Sequence, residues 1–208
     1  MTTVEREAIE FQPLRTDIRV FVARLVGVSP LLMHNPRFLM PKEEKGASRK
    51  EIVNAKDEAD LGVYRLDDYD PTSPLAIPAD NVRQAMLTGS KGLRYHRKAV
   101  RPILTGALTI LVPRFVLTRN GEPILQYDAV DARRVVVKGN GIMRGRPLVD
   151  RPWELEIRFQ LDVATAQPGI VMQALVEAGS RIGLLEYRPE RGGTFGRFEV
   201  VEGWIEPL

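Results

Sequence analysis

The chain has 208 residues, 44% apolar and 27% charged, with a formal net charge of +3 and no cysteine. That length suffices for one domain with its own core, or one domain carrying an insertion, and the lack of cysteine excludes disulfides, a thiol nucleophile and a cysteine zinc site. No apolar run approaches a membrane span, and the start, MTTVEREAIEF, lacks the basic and apolar segments of a signal peptide, so a cytoplasmic location without membrane contact is expected.

In chain order, residues 17–27 (DIRVFVARLVG) alternate apolar and polar positions and predict a central strand. Residues 42–60 are almost all charged or small, and Ser48 and Glu51 are spaced as a capping box, which predicts a solvated helix inserted into the fold. DDYDPTSP (67–74) is a loop by composition. A helix starts near Pro78, with Val82, Ala85, Met86 and Gly89 on one face. Residues 106–118 read as a strand interrupted by Pro113, which belongs at a sheet edge or bulge because proline cannot donate to a ladder. Asn120-Gly121 signals a hairpin turn. Residues 132–138 form a short strand leading into the glycine-punctuated basic loop KGNGIMRGRP. Residues 153–163 alternate, with Trp153, Leu155, Ile157, Phe159 and Leu161 on one face. An amphipathic helix covers 168–179, a glycine-rich loop 183–196, and a last strand 197–205.

The long elements therefore run strand, helix, strand, strand, helix, strand. This order predicts an α+β fold with a ferredoxin-like βαββαβ core and an antiparallel sheet. The expected organisation is a single domain, residues 1–208, with a glycine-rich loop before the last strand. Two insertions interrupt it: 28–77, partly helical, and 119–151, a basic hairpin.

Charge is distributed unevenly. Between Asn81 and Arg151 there are fourteen basic and four acidic residues, a balance of +10, which leaves −7 for the remainder. Such asymmetry points to an anionic polymer as partner. The densest basic stretch is KGLRYHRKAVR (91–101), read as the end of a helix. Lys91, Arg94, Arg97, Lys98 and Arg101 are candidate phosphate contacts, with Tyr95 interleaved and Arg83 on the preceding helix. The second insertion offers Arg133, Arg134, Lys138, Arg144 and Arg146, and apolar Ile142 and Met143 at its tip suit either a wedge or a buried tip.

The loop RPERGGTFGRF (188–198) predicts a third contact. Gly192, Gly193 and Gly196 permit backbone N–H groups to converge on a phosphate, and Arg188, Arg191 and Arg197 add charge. Phe195 or Tyr187 would stack on a base, and Phe198 is expected in the core. The aromatic strand spacing of common RNA-binding domains is absent.

No catalytic residue, metal or cofactor is predicted. His34 and His96 are the two residues suited to proton transfer near neutral pH, and neither has metal-ligand spacing with carboxylates. Adjacent acidic pairs, Asp57-Glu58 and Asp67-Asp68, diverge too readily to hold Mg²⁺.

VSPLLMH (28–34), IPADNVRQAM (77–86) and IGLLEYRPERGGTFGRFEV (182–200) resemble segments of the RAMP superfamily, the repeat-associated proteins of CRISPR effector complexes that serve antiviral defence. The likeness is greatest to their backbone subunits, and the last segment is also similar to uncharacterised proteins of tailed phages. The resemblance implies a single-stranded RNA (or single-stranded DNA) binder in several copies, a homo-oligomer or filament alongside other effector subunits. The loop departs from the family in being split by Glu186 to Glu190. Two rival expectations are a metal-independent endoribonuclease using a histidine, and a viral structural or assembly protein.

Overall fold

The computed structural model describes residues 15–38, 54–137 and 140–208, and within these the side chains of all but 38, 135–137 and 140–142. The elements are β1 (Ile18–Gly27), β2 (Leu31–Leu32), α1 (Ala55–Leu61), β3 (Ala76–Pro78) and α2 (Ala79–Gly89). Next come β4 (Arg94–Tyr95), β5 (Lys98–Ala99), α3 (Val100–Ala107), β6 (Leu108–Ile110), β7 (Arg114–Arg119) and β8 (Glu122–Pro123). The chain closes with β9 (Ala129–Val137), β10 (Asn140–Val149), β11 (Glu154–Asp162), α4 (Pro168–Glu177) and β12 (Phe198–Pro207). The fold is α+β. Among the described residues no helix is long and apolar enough to cross a membrane.

The main sheet is antiparallel. β1 lies between β12 and β11, β6 and β7 follow one another along the far side of β11, and β3 flanks β7. Alternation on β1 and β11 works as the sequence predicts: Phe21 faces Phe159, Ala23 faces Ile157 and Leu25 faces Leu155, and all six are buried. Such directly opposed pairs are the unit that stabilises a sheet. Helices α2 and α4 pack together, and Val82, Met86, Val171 and Leu175 join the same core. Gly89 permits that approach, because a Cβ there would lie 2.8 Å from the Ala178 nitrogen. Trp153 is fully buried just before β11 and donates from Nε1 to the Ser29 carbonyl at 2.8 Å.

The opposite sheet face is a polar lattice. Arg24 bonds Glu156 and Glu202, Arg158 bonds Glu156 and Glu206, and Trp204 donates to Glu206 at 2.8 Å. A depression of about 540 Å³ on this face is lined by Arg24 together with Glu154, Glu156 and Glu202. Its acid excess makes it a poor seat for phosphate.

Several expectations are corrected. Residues 106–118 are not one strand: β6 and β7 are separated around Pro113, whose carbonyl accepts from Ala79 N at 2.9 Å. Nor is β7 a bare edge, since β3 pairs it on one side and β8 adds a short turn-back. Stretch 91–101 is not a helix end. A turn at Ser90–Gly92 leads into the β4–β5 hairpin, whose turn residues His96 and Arg97 have φ of 45° and 67°. Helix α3 follows, unforeseen, with Val100, Leu104 and Ala107 buried. The loop KGNGIMRGRP is largely strand, because β10 pairs β9 from Asn140↔Val137 to Leu148↔Ala129 and then pairs β2.

In the first insertion the described helix is α1, and its N-cap is Asn54, which accepts from the N–H groups of Lys56 and Asp57. The proposed capping box of Ser48 and Glu51 lies outside the described residues, as does Lys138; the Ile142 side chain is likewise not described.

Candidate nucleic-acid interface

The glycine bend is pinned to the core by Leu184 and Leu185, both buried, and the Leu185 N–H donates to Asn81 Oδ1 of α2 at 3.1 Å. Its glycines answer to the protein itself. A Cβ at Gly193 would sit 1.7 Å from the Tyr187 carbonyl oxygen, and one at Gly196, where φ is 71°, 2.1 Å from the Leu184 carbonyl oxygen. The N–H groups are committed too: Gly192 donates to Pro189 O, Gly193 to Arg188 O and Gly196 to Pro30 O, at 2.9, 3.1 and 2.8 Å. The anticipated cradle of three converging glycine N–H groups is therefore not formed, because internal carbonyls take each donor. What the bend does is hold Tyr187 and Phe195 in place.

Those rings meet the second insertion. The Arg133 guanidinium lies over Tyr187 at 4.9 Å and over Phe195 at 5.3 Å, while Arg146 lies over Tyr187 at 5.0 Å. Guanidiniums thus already cover faces that were expected to stack on bases. Arg133 is also paired with Asp131, whose hydrogen bond raises its pKa further. Arg144 bonds the buried carboxylate of Glu58 at 2.6 Å, and the Gly145 N–H reaches the other oxygen of Glu58 at 2.9 Å. Gly145 is where α1 and β10 touch, since a Cβ there would lie 1.8 Å from the Ala55 carbonyl oxygen. Arg146 is 8% exposed, and among the described residues its Nε and Nη1 have no hydrogen-bond partner. Met143 is exposed, which removes the buried-tip expectation for that residue.

The 91–101 region is different. Lys91, Arg94, Arg97, Lys98 and Arg101 are exposed, and among the described residues none of their side chains makes an ion pair or hydrogen bond. No acid interrupts the stretch. Tyr95 packs partly against the core and meets His96 edge-on at 4.2 Å. Arg134, Arg191 and Arg197 are likewise exposed cations. By contrast, Arg83 donates to the Leu108 and Thr105 carbonyls at the end of α3, and Arg188 to the Leu185 carbonyl and Glu190. These two serve the fold.

The glycine bend and the β9–β10 hairpin are in contact, whereas β4–β5 begins at the other end of α2. From Asn81 to Ser90 the helix spans about 14 Å at 1.5 Å per residue. A cavity of about 190 Å³ runs beside α2, lined by Asn81, Gln84 and Thr88 with Arg188 and Arg191. Glu190 lines it as well, and no residue of 91–101 does, so it opens on the glycine bend alone.

The histidines are not paired with each other or with a metal cluster; among the described residues no group of three metal-ligating side chains occurs. Burial pushes His34 below its ordinary value, opposed by the charge of Glu186. The acidic pairs are committed elsewhere: Glu58 to Arg144 and Gly145, and Asp68 to Arg114, Asn35 and the Arg65 N–H. Sequence reasoning missed Asp131, although residues two apart on a strand share a face and Arg133 follows it at that spacing. The partnership of Glu58 with the hairpin had no local signal.

An antiparallel sheet carrying two helices on one face, with a clamped hairpin and exposed cations, defines an α+β protein with a basic surface. The same fold recurs in a chain from the cryo-EM structure of the type III-B Cmr-beta bound to cognate target RNA. The TM-score is 0.59 at 11% identity, over 91% of this chain and 61% of that one. This chain therefore spans about three fifths of the length of the chain it resembles. The sequence matches no protein-family profile and no curated protein.

Proposed function

We propose that the chain is a RAMP-type subunit that binds single-stranded RNA, several copies lying along one strand in the manner of a CRISPR effector backbone. Three features support this reading. The sheet order of last, first, third and second long strands agrees with a ferredoxin-like core, and the proposal includes a single domain with residues 28–77 and 119–151 as its insertions. The neighbour of like fold comes from a complex bound to target RNA. The observation that carries the proposal is the third: five exposed cations at 91–101 with no acidic partner among the described residues. Like charges crowded on one hairpin repel, and a polyanion relieves that repulsion while releasing its counterions.

RNA is favoured over DNA by the neighbour alone. Readout of bases is secondary here, since the Tyr187 and Phe195 rings already bear guanidiniums. Salt titration of binding to a short single-stranded RNA tests the proposal. The log–log slope should steepen by about 0.7 for each phosphate neutralised. A slope of zero, or no binding at low salt, sinks it.

A further inference from the structure

We infer that Arg146, at the root of the β9–β10 hairpin, is the floor of a dedicated seat for one phosphate group of the bound strand. A guanidinium cannot shed its proton, so burying it without acceptors is strongly disfavoured unless something supplies them. Arg146 is 92% buried, and Nε and Nη1 bond no acceptor among the described residues. The ring of Tyr187 covers one side of it at 5.0 Å, but a ring offers no hydrogen-bonding oxygen to those two N–H groups.

Two nearby carboxylates are engaged elsewhere. Glu58 holds Arg144 and the Gly145 N–H, and Asp131 holds Arg133. The Glu186 carboxylate, near enough for its charge to act on His34 and Tyr64, bonds neither Nε nor Nη1 of Arg146. What is missing is an oxyanion. Arg133 marks the way in: its side chain is 38% exposed and its guanidinium lies 4.9 Å from the same Tyr187 ring. The two guanidiniums are therefore within 10 Å of each other, and an anion entering beside Tyr187 meets both. Because the seat joins β10, α1 and the glycine bend, its occupant would also tie the hairpin to the core.

The identity of the occupant as a phosphodiester rests on the RNA reading; the need for an anion does not. The two are separated by recording arginine Nε–Hε resonances of the full chain during titration with inorganic phosphate, and separately with a short oligouridine. The Arg146 signal is identified by its loss in Arg146→Lys. Should that variant not fold, the ring-shifted signal that moves in Tyr187→Leu yet persists in Arg133→Gln identifies it instead. Both titrants are expected to move the Arg146 resonance, and Arg133→Gln should weaken the phosphate response about tenfold. If the resonance stays still while salt-dependent RNA binding persists, the seat is wrong and the RNA reading survives. If phosphate moves it but oligouridine neither moves it nor binds, the seat stands and the RNA occupant is overturned.

Discussion

Two arginine-rich hairpins occupy one molecule and use their charge in opposite ways. In β9–β10, Arg133 and Arg144 are bound to Asp131 and Glu58, and Arg133 and Arg146 lie over the rings of the glycine bend. From the turn at Ser90–Gly92 through β4–β5 to the start of α3, five cations stand in solvent with no acid in the stretch. The first hairpin spends charge on placing itself against α1 and the bend. The second leaves its charge available to a partner. A count of lysines and arginines treats them alike, yet only the second has the form of a free electrostatic surface.

The contrast can be broken by mutation, and the largest effect is expected where the first hairpin is clamped. Gly145→Val drives a side chain into the Ala55 carbonyl, 1.8 Å from where its Cβ would fall. It should cost about 3 kcal/mol and lower Tm by about 10 °C in a thermal melt. A wild-type melting curve would show that α1 and β10 do not depend on each other.

Reversing charge on the second hairpin should leave Tm nearly unchanged and strike binding. Arg94→Glu with Arg97→Glu is expected to lower single-stranded RNA affinity about a hundredfold at low salt. The salt slope should shrink by about 1.4, the share of two phosphates. Unaltered affinity would make β4–β5 an ordinary solvated surface.

A third test concerns the Asp68 loop of the first insertion. Burial works against ionisation of Asp68, but bonds from Arg114, the Arg65 N–H and Asn35 outweigh it and hold the carboxyl below its ordinary range. A depressed folded pKa contributes stability above the unfolded value of about 3.9, lost as pH falls through the folded value. Asp68→Asn should therefore cost about 2 kcal/mol at pH 7. Its deficit relative to wild type should close below about pH 4, as followed by denaturant melts. A constant deficit at all pH values would assign the loss to shape, not charge.

The smallest effect is expected at His34. Burial lowers its pKa, so the unfolded chain takes up a proton more readily, and stability declines as pH falls below about 6.5. His34→Gln should flatten that decline by about 0.5 kcal/mol, measured as the difference between melts at pH 7.5 and pH 5.5. If the wild type is as stable at pH 5.5 as at pH 7.5, His34 is not under that strain.

Much of the fold was readable in the residues. Period-two alternation located β1 and β11, and Asn120-Gly121 marked a real turn, with φ of 54° and 80°. The apolar face of α2 was legible as well. Helix α3 was not, because a basic hairpin directly precedes it, Pro102 stands in its first turn, and Thr105 and Gly106 are weak helix formers. The candidate site was legible as composition but not as geometry. Glu58 and Arg144 are 86 residues apart, and nothing local to either announces the other.

The sequence by itself determined the alternation of strands and helices, the surplus of charge in its middle third and the places where the backbone must turn. These depend on neighbours within a few positions, where periodicity and turn chemistry act. Only the tertiary structure decided which arginines are paired, which donors the glycines keep, and that Arg146 is buried without an acceptor among the described residues. Pairing and burial are set by distances between segments remote in the chain, and those distances exist only once the core has closed.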